Sequence, residues 1–267
     1  MTDERDYEVE LRLALDLLAE ASRTALARSR SVTPVEKANK SYVTDLDRDL
    51  ERLIRGRLAA AFPDDRITGE EYAPEGGDGP RRWSIDPIDG TGNLVHGLPL
   101  WAVSVGLIVA GAPTLGAIAV PPLGETYWAV KGKGAWLDGR RLEVEDADGF
   151  HAQDNVCLGT NAMRAIDPRS VTGRLRDLGS ACCEQVFVAA GRLRACVFLG
   201  EQTHDVAAGA VIASEAGCAF GTLREGRIDP AEFLARTPVA VPTFVASPRR
   251  LDALLKQART YPAPRLS

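Results

Sequence analysis

The feature that most constrains this chain is the segment 83–91, which reads Trp-Ser-Ile-Asp-Pro-Ile-Asp-Gly-Thr. Apolar Trp83 and Ile85 alternate with Ser84 and Asp86, a pattern typical of a strand that ends at Asp86. The proline that follows restricts the backbone and stops the strand, and the Asp-Gly-Thr triplet provides turn and helix-start chemistry. The segment therefore predicts a strand whose carboxyl end abuts the start of a helix.

Such a strand end brings together groups that bind a cation and groups that bind an anion. Asp86 and Asp89 offer carboxylate oxygens to a metal, and the helix start offers free backbone N–H groups to a phosphate. Carboxylates, a backbone carbonyl and water are the hard oxygen ligands that Mg²⁺ prefers. The three histidines, His96, His151 and His204, are scattered, so no zinc-like nitrogen cluster is indicated. We therefore expect a metal-assisted reaction on a phosphate group.

The charge balance restricts the partners of the chain. Its 267 residues have a formal net charge of -5, and no basic run offsets it, so we expect neither nucleic acid nor a membrane surface as partner. The five cysteines are odd in number and include no CxxC pair, which favours reduced, buried thiols. The acidic N-terminus is unlike a secretory signal, and no apolar stretch approaches the roughly 18 residues that cross a membrane. These features predict a cytoplasmic location.

Apolar periodicity predicts a mixture of helices and strands. The predicted helices cover residues 7–28, 45–62, 182–191 and 205–216. The predicted strands cover residues 66–69, 81–86, 102–109, 115–120 and 194–199. The turn pair Asp138-Gly139 predicts a hairpin within residues 125–144. Hairpins dominate the first half and α/β alternation the second, which predicts a layered α+β sandwich.

We expect one domain over residues 1–267 with two halves. The half at 1–149 would bind metal and phosphate, and the smaller α/β half at 150–267 would complete the site. The change of pattern near Gly149 marks the boundary between them.

Residues 86–91, Asp-Pro-Ile-Asp-Gly-Thr, resemble the signature of the inositol monophosphatase family, which is related to fructose-1,6-bisphosphatase. Further segments that resemble the family are VTDLD (43–47), GEE (69–71), KGKGA (131–135), DVAAG (205–209) and EAG (215–217). The resemblance covers most of the chain from Lys37 to Gly221, in the family's order. It implies an αβαβα sandwich of the sugar-phosphatase type, a homodimer, and two to three Mg²⁺ ions that Mn²⁺ can replace.

The resemblance also implies metal ligands. Glu70, Asp86 and the carbonyl of Ile88 resemble the ligands of a first metal. Asp86, Asp89 and Asp205 resemble the ligands of a second metal, and Asp86 would bridge the two metals. Glu70, with waters, would hold a third and weaker ion.

Catalytic and phosphate-binding roles follow from the same resemblance. Thr91 and Asp47 match the pair that orients and deprotonates the attacking water, and Glu70 joins them in the catalytic set. The N–H groups of Gly90 and Thr91, beside Asp89, would hold the phosphate.

Two positions depart from the family pattern. His204 precedes Asp205 where the family usually has tryptophan. Phe198 lies seven residues before that aspartate, where inositol-cleaving members place a glutamate that contacts sugar hydroxyls, and Glu201 is nearby but out of register. We expect Phe198 and His204 to line the wall that faces the alcohol, with His204 as a spacer, a substrate contact or a support for the ligands.

The reaction expected from these residues is hydrolysis of a small phosphate monoester by metal-activated water. Inositol 1-phosphate or a similar polyol phosphate is the leading substrate, and the alternatives are histidinol phosphate, fructose 1,6-bisphosphate and 3′-phosphoadenosine 5′-phosphate. Ser180 and Glu184 are expected to contact the substrate. Because Phe198 removes a hydrogen-bond acceptor, we expect broad activity, with Phe198→Glu favouring inositol 1-phosphate. A non-catalytic regulator is the competing class, but it would need no water-activating pair.

Overall fold

The computed structural model describes residues 6–37 and 42–261, in which eight α-helices and sixteen strands alternate. The helices are α1 (Glu8–Arg28), α2 (Asp45–Ala61), α3 (Thr91–Val95), α4 (Thr160–Ala165), α5 (Ala181–Ala189), α6 (Thr203–Glu215), α7 (Pro230–Ala235) and α8 (Pro248–Gln257). The first ten strands are β1 (Pro34–Glu36), β2 (Tyr42–Thr44), β3 (Arg66–Gly69), β4 (Glu75–Gly76), β5 (Arg81–Asp89), β6 (Ala102–Val109), β7 (Ala112–Val120), β8 (Glu125–Val130), β9 (Ala135–Leu137) and β10 (Arg140–Leu142). The remaining strands are β11 (Asn155–Leu158), β12 (Arg174–Arg176), β13 (Ala195–Phe198), β14 (Ala219–Thr222), β15 (Gly226–Ile228) and β16 (Thr243–Ala246).

Two large sheets organise the molecule. The first has the order β10-β9-β8-β7-β6-β5-β3-β4 and is antiparallel except for the β3–β5 pair. The second has the order β12-β11-β13-β16-β14-β15, with parallel pairing of β11 to β12 and to β13. Strands β1 and β2 form a separate antiparallel pair.

Helices cover both faces of each sheet. Helices α1 and α2 pack on one face of the eight-stranded sheet, and α5 and α6 lie between the two sheets. Helices α4 and α8 pack on the outer face of the six-stranded sheet. Because helices cover both faces, β6 and β7 read as nearly continuous apolar runs. The order of layers is αβαβα, as the resemblance implied.

Local sequence explains why α2 begins and ends where it does. Leu46, Leu50, Ile54 and Leu58 recur at helical spacing and are fully buried against the sheet. Thr44 caps the start of the helix: its hydroxyl accepts a bond from the Asp47 N–H at 3.4 Å, and the Asp47 side chain accepts from the Thr44 N–H at 2.9 Å. The predicted helix is therefore confirmed.

Strand β5 continues further than its sequence predicted. The expectation that Pro87 ends the strand at Asp86 is wrong, because Asp89 still pairs with Ala102 of the neighbouring strand. The register shifts between Asp86 and Asp89, and a proline is tolerated at such an irregularity because no ladder bond is required of its nitrogen. The shift places both carboxylates at the same end of the strand.

Helix α6 lies unusually close to the eight-stranded sheet. A Cβ atom built on Gly116 of β7 would lie 2.2 Å from the carbonyl oxygen of Ala208, so only glycine fits there. The helix surface is made of small residues such as Ala207 and Ala208, which allows this backbone-to-backbone contact. The first turn of α6, which includes Asp205, is thereby held against the sheet.

The remaining predicted elements are also found. The predicted hairpin of residues 125–144 comprises β8, β9 and β10, and Asp138 and Gly139 form the β9–β10 turn with positive φ angles of 47° and 80°. All five cysteines are buried and free. Within the described parts of the chain, no helix is both long and apolar enough to cross a membrane. Residues 1–5 of the acidic N-terminus lie outside the described residues.

Candidate active site

Acidic side chains from both halves of the chain converge on one cavity. Asp86 and Asp89 come from the end of β5, Glu70 follows β3, and Asp205 comes from the first turn of α6. The carboxylate oxygens of Asp86, Asp89 and Asp205 lie within 4.8 Å of one another. The cavity that they line, with Ile88 and Gly90 among its walls, has a volume of about 400 Å³.

The turn between β5 and α3 requires glycine. Gly90 has a φ of +87°, a left-handed conformation, and a Cβ atom there would lie 3.0 Å from the carbonyl oxygen of Leu100. Gly90 and Thr91 both line the cavity, directly after the carboxylate of Asp89. The turn therefore places backbone N–H groups next to the acidic cluster.

Thr91 and Asp47 form a buried hydrogen-bonded pair. The Thr91 hydroxyl donates to Asp47 Oδ1 at 3.0 Å and lies 2.9 Å from the carbonyl oxygen of Ile88. The other oxygen of Asp47 accepts from the Thr44 backbone N–H and hydroxyl at the start of α2. Burial raises the pKa of Asp47, while its hydrogen bonds from Thr44 oppose that rise. The helix cap thus holds a carboxylate in position against the cavity-lining threonine.

The electrostatics of the cluster favour a bound cation. Burial, followed by the charge of Glu70, raises the pKa of Asp86 well above its usual range. Burial raises the pKa of Asp89 to about 6, with Asp205 adding to the shift, and burial raises the pKa of Asp205 to about 6. Like charges in a buried site repel one another, and a divalent ion with oxygen ligands relieves that repulsion. The donor set therefore fits Mg²⁺ or a similar hard ion.

Hydrogen bonds hold one oxygen of each of two carboxylates. Asp89 Oδ2 accepts from the Ser180 hydroxyl and from the Cys182 N–H, each at 2.6 Å. Asp205 Oδ2 accepts from the Gln202 N–H at 2.5 Å, as part of the cap of α6. Because one oxygen is occupied in each case, the other remains available to the cluster. Ser180, which we expected to contact substrate, is buried and contacts Asp89 directly.

Two groups of ion pairs lie around Glu70 and Glu71, and sequence reasoning missed the buried one, which Glu51 and Arg55 form. Lys37 Nζ lies 2.8 Å from Glu70 Oε1 and 2.5 Å from Glu71 Oε1. Glu51 of α2 is fully buried, pairs with Arg55 at 2.7 Å, and accepts from the Glu71 N–H at 2.7 Å. An acidic residue one helical turn after Asp47, on the apolar face of α2, was the available signal.

His204 lies beside the carboxylates and away from bulk solvent. Its side chain is 18% exposed, and Nε2 is 3.4 Å from Asp205 Oδ1. A ring nitrogen of His204 and carboxylate oxygens of Glu70 and Asp86 lie within 4.8 Å of one another. Burial lowers the pKa of His204, which opposes the effect of the neighbouring carboxylates.

The structure corrects the expectation for Phe198. Its side chain is fully buried and packs against Phe233, with ring centroids 6.1 Å apart, so it does not line the wall that faces the alcohol. Strand β13 is buried on both faces and leaves Phe198 in the core between the sheets. The chain then turns at Gly200, which has a φ of +109°, and brings Glu201 to the wall instead.

A second cavity of about 660 Å³ continues from the first and is strongly acidic. Its described lining residues include five carboxylates and no lysine or arginine: Asp89, Asp177, Glu184, Glu201 and Asp205. Burial raises the pKa of Glu184 to about 8 and that of Glu201 to about 7. Glu201 Oε2 is buried without a hydrogen-bond partner among the described residues. This cavity is placed to receive the part of a substrate that extends beyond the acidic cluster.

Comparison with known proteins agrees with this geometry. The model of the inositol monophosphatase family matches residues 3–262. The chain is 32% identical to a fructose-1,6-bisphosphatase/inositol-1-monophosphatase of Aquifex aeolicus over 85% of each chain. It is 37% identical to a histidinol-phosphatase of Chlorobaculum parvum, over 79% of this chain and 85% of that one.

A solved structure shares the fold of this chain. The extragenic suppressor protein suhB from Bartonella henselae superposes with a TM-score of 0.82 at 25% identity, over 94% of this chain and 98% of that one. Fold, acidic cluster and family match agree, and the chain is a phosphoric monoester hydrolase that belongs to the inositol monophosphatase family.

Proposed function

We propose that the chain hydrolyses a small phosphate monoester at the acidic cluster, with two to three Mg²⁺ ions that Mn²⁺ can replace. The observation that supports this most is the convergence of Asp86, Asp89 and Asp205 within 4.8 Å, next to the Thr91–Asp47 pair. Glu70, Asp86 and the Ile88 carbonyl would hold one ion. Asp86, Asp89 and Asp205 would hold another, and Glu70 with waters would hold a third.

The protein's own residues would position the reactants. When bound, the metal ions lower the pKa of water and neutralise charge on the phosphate and the leaving oxygen. Thr91 orients the attacking water, and Asp47 takes its proton through the hydrogen bond that joins their side chains. The N–H groups of Gly90 and Thr91 hold the phosphate oxygens. The water oxygen then bonds to phosphorus as the ester P–O bond breaks, and the departing alcohol oxygen takes a proton from solvent, so no protein nucleophile is needed.

Metal removal tests the proposal directly. Phosphate release from inositol 1-phosphate should stop after EDTA treatment and return with Mg²⁺ or Mn²⁺, because activation of water and neutralisation of charge on the phosphate would depend on the bound ions. Ca²⁺ should inhibit, since its larger and more flexible ligand shell loosens the in-line geometry. Full turnover by metal-free protein would contradict the mechanism.

Replacing Thr91 should separate chemistry from binding. Thr91→Ala removes the hydroxyl that orients water, so kcat should fall by about 10²–10⁴-fold with little change in KM. Thr114→Ala is the matched control, because Thr114 is similarly buried and its hydroxyl donates to the nearby carbonyl of Ala112, away from the acidic cluster. A rise in KM at unchanged kcat would assign Thr91 to substrate binding alone.

The acidic second cavity bears on the choice of substrate. Inositol 1-phosphate or a similar polyol phosphate remains the leading proposal, because carboxyl groups accept and donate hydrogen bonds to hydroxyls. A second phosphate would meet no lysine or arginine among the described residues that line this cavity, which disfavours fructose 1,6-bisphosphate and 3′-phosphoadenosine 5′-phosphate. The second candidate is a cationic amino alcohol such as histidinol phosphate, because a cation in this cavity would meet carboxyl groups and no lysine or arginine among the described lining residues.

Substitution of Glu201 should decide between these two alcohols. Glu201→Gln keeps the size of the side chain but removes its charge, so kcat/KM for histidinol phosphate should fall about tenfold or more relative to inositol 1-phosphate. Glu225→Gln is a suitable control, because Glu225 lies far along the chain on the β14–β15 turn and pairs with Arg236. An unchanged ratio would place the cationic group outside this cavity and leave the polyol as the favoured substrate.

We also propose that the protein is a homodimer. Within each chain, residues 1–267 would act as one functional unit. The family resemblance supports the dimer, and the contribution of ligands by both halves supports the single unit. Light scattering on the purified protein should give twice the mass of one chain.

A further inference from the structure

His204, which precedes Asp205, belongs to one of two groups of possible metal ligands in the cluster. His204 lies on the first turn of α6, and one of its ring nitrogens is within 4.8 Å of carboxylate oxygens of both Glu70 and Asp86. The group formed by Asp86, Asp89 and Asp205 contains oxygen atoms only. The two ligand groups share Asp86 but differ in their ligand atoms: the first includes a nitrogen, and the second has oxygen atoms only.

The spacing of the first group matches the requirements of a single ion. Ligands about 2.1 Å from an octahedral ion lie about 3 Å apart when adjacent and about 4.2 Å apart when opposite. Atoms within 4.8 Å of one another can therefore close on one ion with small side-chain movements. Glu70 is compatible with this, because Lys37 contacts its Oε1 and leaves Oε2 available.

Among the described residues, no short hydrogen bond engages Nε2 of His204. The 3.4 Å separation between Nε2 and Asp205 Oδ1 exceeds the usual N–H···O distance of about 2.7–3.2 Å. The ring is also mostly shielded from water, with 18% of the side chain exposed. A shielded imidazole that faces carboxylates, without a short hydrogen bond to them, is placed to bind a metal through its nitrogen.

We propose that His204 is a nitrogen ligand of the metal ion held by Glu70 and Asp86, so that this position prefers Mn²⁺ or a later transition metal while the all-oxygen position prefers Mg²⁺. Imidazole suits transition metals, and affinity for such ligands rises along the series from Mn²⁺ to Cu²⁺. Carboxylates and water suit Mg²⁺. The inference rests on the metal centre of the proposed function and adds that its two positions differ in selectivity.

Pulsed electron paramagnetic resonance tests the coordination without relying on activity. Protein loaded with Mn²⁺ should show echo modulation from a directly bound nitrogen. Growth with ¹⁵N-labelled histidine should replace the ¹⁴N pattern with the ¹⁵N pattern in the unmodified protein. Bound Mn²⁺ with no histidine-derived modulation would overturn the inference and leave the phosphatase assignment intact. Failure of Mn²⁺ to bind at all would overturn both.

Variants identify which histidine is responsible. In His204→Gln the modulation should disappear, and calorimetry should show Mn²⁺ binding weakened about tenfold or more while Mg²⁺ binding changes less than about threefold. His151→Gln is the matched control, because His151 is exposed and lies outside the cluster, and it should retain the modulation and both affinities. Equal weakening of Mn²⁺ and Mg²⁺ in His204→Gln would show that His204 only positions Asp205.

Discussion

Asp205→Asn should abolish turnover while making the metal-free protein more stable. The substitution removes a charged ligand, so kcat/KM should fall on the order of 10³-fold or more. The side-chain oxygen that accepts from the Gln202 N–H is retained, which preserves the cap of α6. Burial raises the pKa of Asp205 to about 6, so at pH 7.5 the native state contains an ionised carboxylate that destabilises it when no metal is bound.

Thermal unfolding in EDTA at pH 7.5 measures the second half of this prediction. The Tm of Asp205→Asn should exceed that of the unmodified protein, and the difference should shrink below pH 6, where Asp205 is protonated in the native state. Asp229→Asn provides the control, because Asp229 also caps a helix but is exposed and lies outside the cluster. An Asp205→Asn protein with activity within tenfold of the original would remove Asp205 from the ligand set.

Phe198→Glu should unfold the protein rather than change its substrate. The aromatic ring is fully buried between the sheets and packs on Phe233, so the substitution loses that packing and buries a carboxyl group in an apolar environment. Loss of a buried phenylalanine alone costs about 3–5 kcal/mol, and an unpaired carboxyl group adds to that cost. Chemical denaturation, or the yield of soluble protein, should show the loss.

Phe198→Leu keeps this prediction testable if the glutamate variant does not fold. It should remain folded with a modest loss of stability, and its kcat/KM ratio between inositol 1-phosphate and histidinol phosphate should equal that of the unmodified protein. A changed ratio in the leucine variant would show that position 198 does influence the substrate.

Part of the acidic cluster could be predicted because its chemistry is encoded locally. In the segment 86–91, a proline, two carboxylates and a glycine occur within six residues, so Asp86 and Asp89 lie close together along the chain. Asp205 follows the same logic, since a capping carboxylate lies at the start of its helix by local hydrogen bonding. Resemblance was needed to associate Asp205 of α6, Asp47 of α2 and Glu70 with the end of β5.

The wall that faces the alcohol could not be predicted in the same way. Whether Phe198 or Glu201 reaches the cavity depends on the direction of side chains at the end of β13 and on the turn at Gly200. Counting residues back from Asp205 selected Phe198. That count failed because distance along the sequence does not determine which side chain of a loop or strand end faces the cavity. The Glu51–Arg55 pair was hidden for a related reason: its burial depends on the loop after Glu70, which packs against α2 from a distant part of the chain.

The close approach of α6 to β7 has a consequence for how such an enzyme could be diversified. Any side chain at Gly116 would push on the backbone of Ala208 and shift the helix that bears Asp205, so this contact leaves almost no freedom for change. The second cavity, in contrast, is lined in part by residues 159–161, at the start of α4, and by the loop residues 177, 179, 200 and 201. Random libraries restricted to those positions should yield new substrate ranges at undiminished metal affinity, whereas libraries that include Gly116 should yield mostly inactive protein.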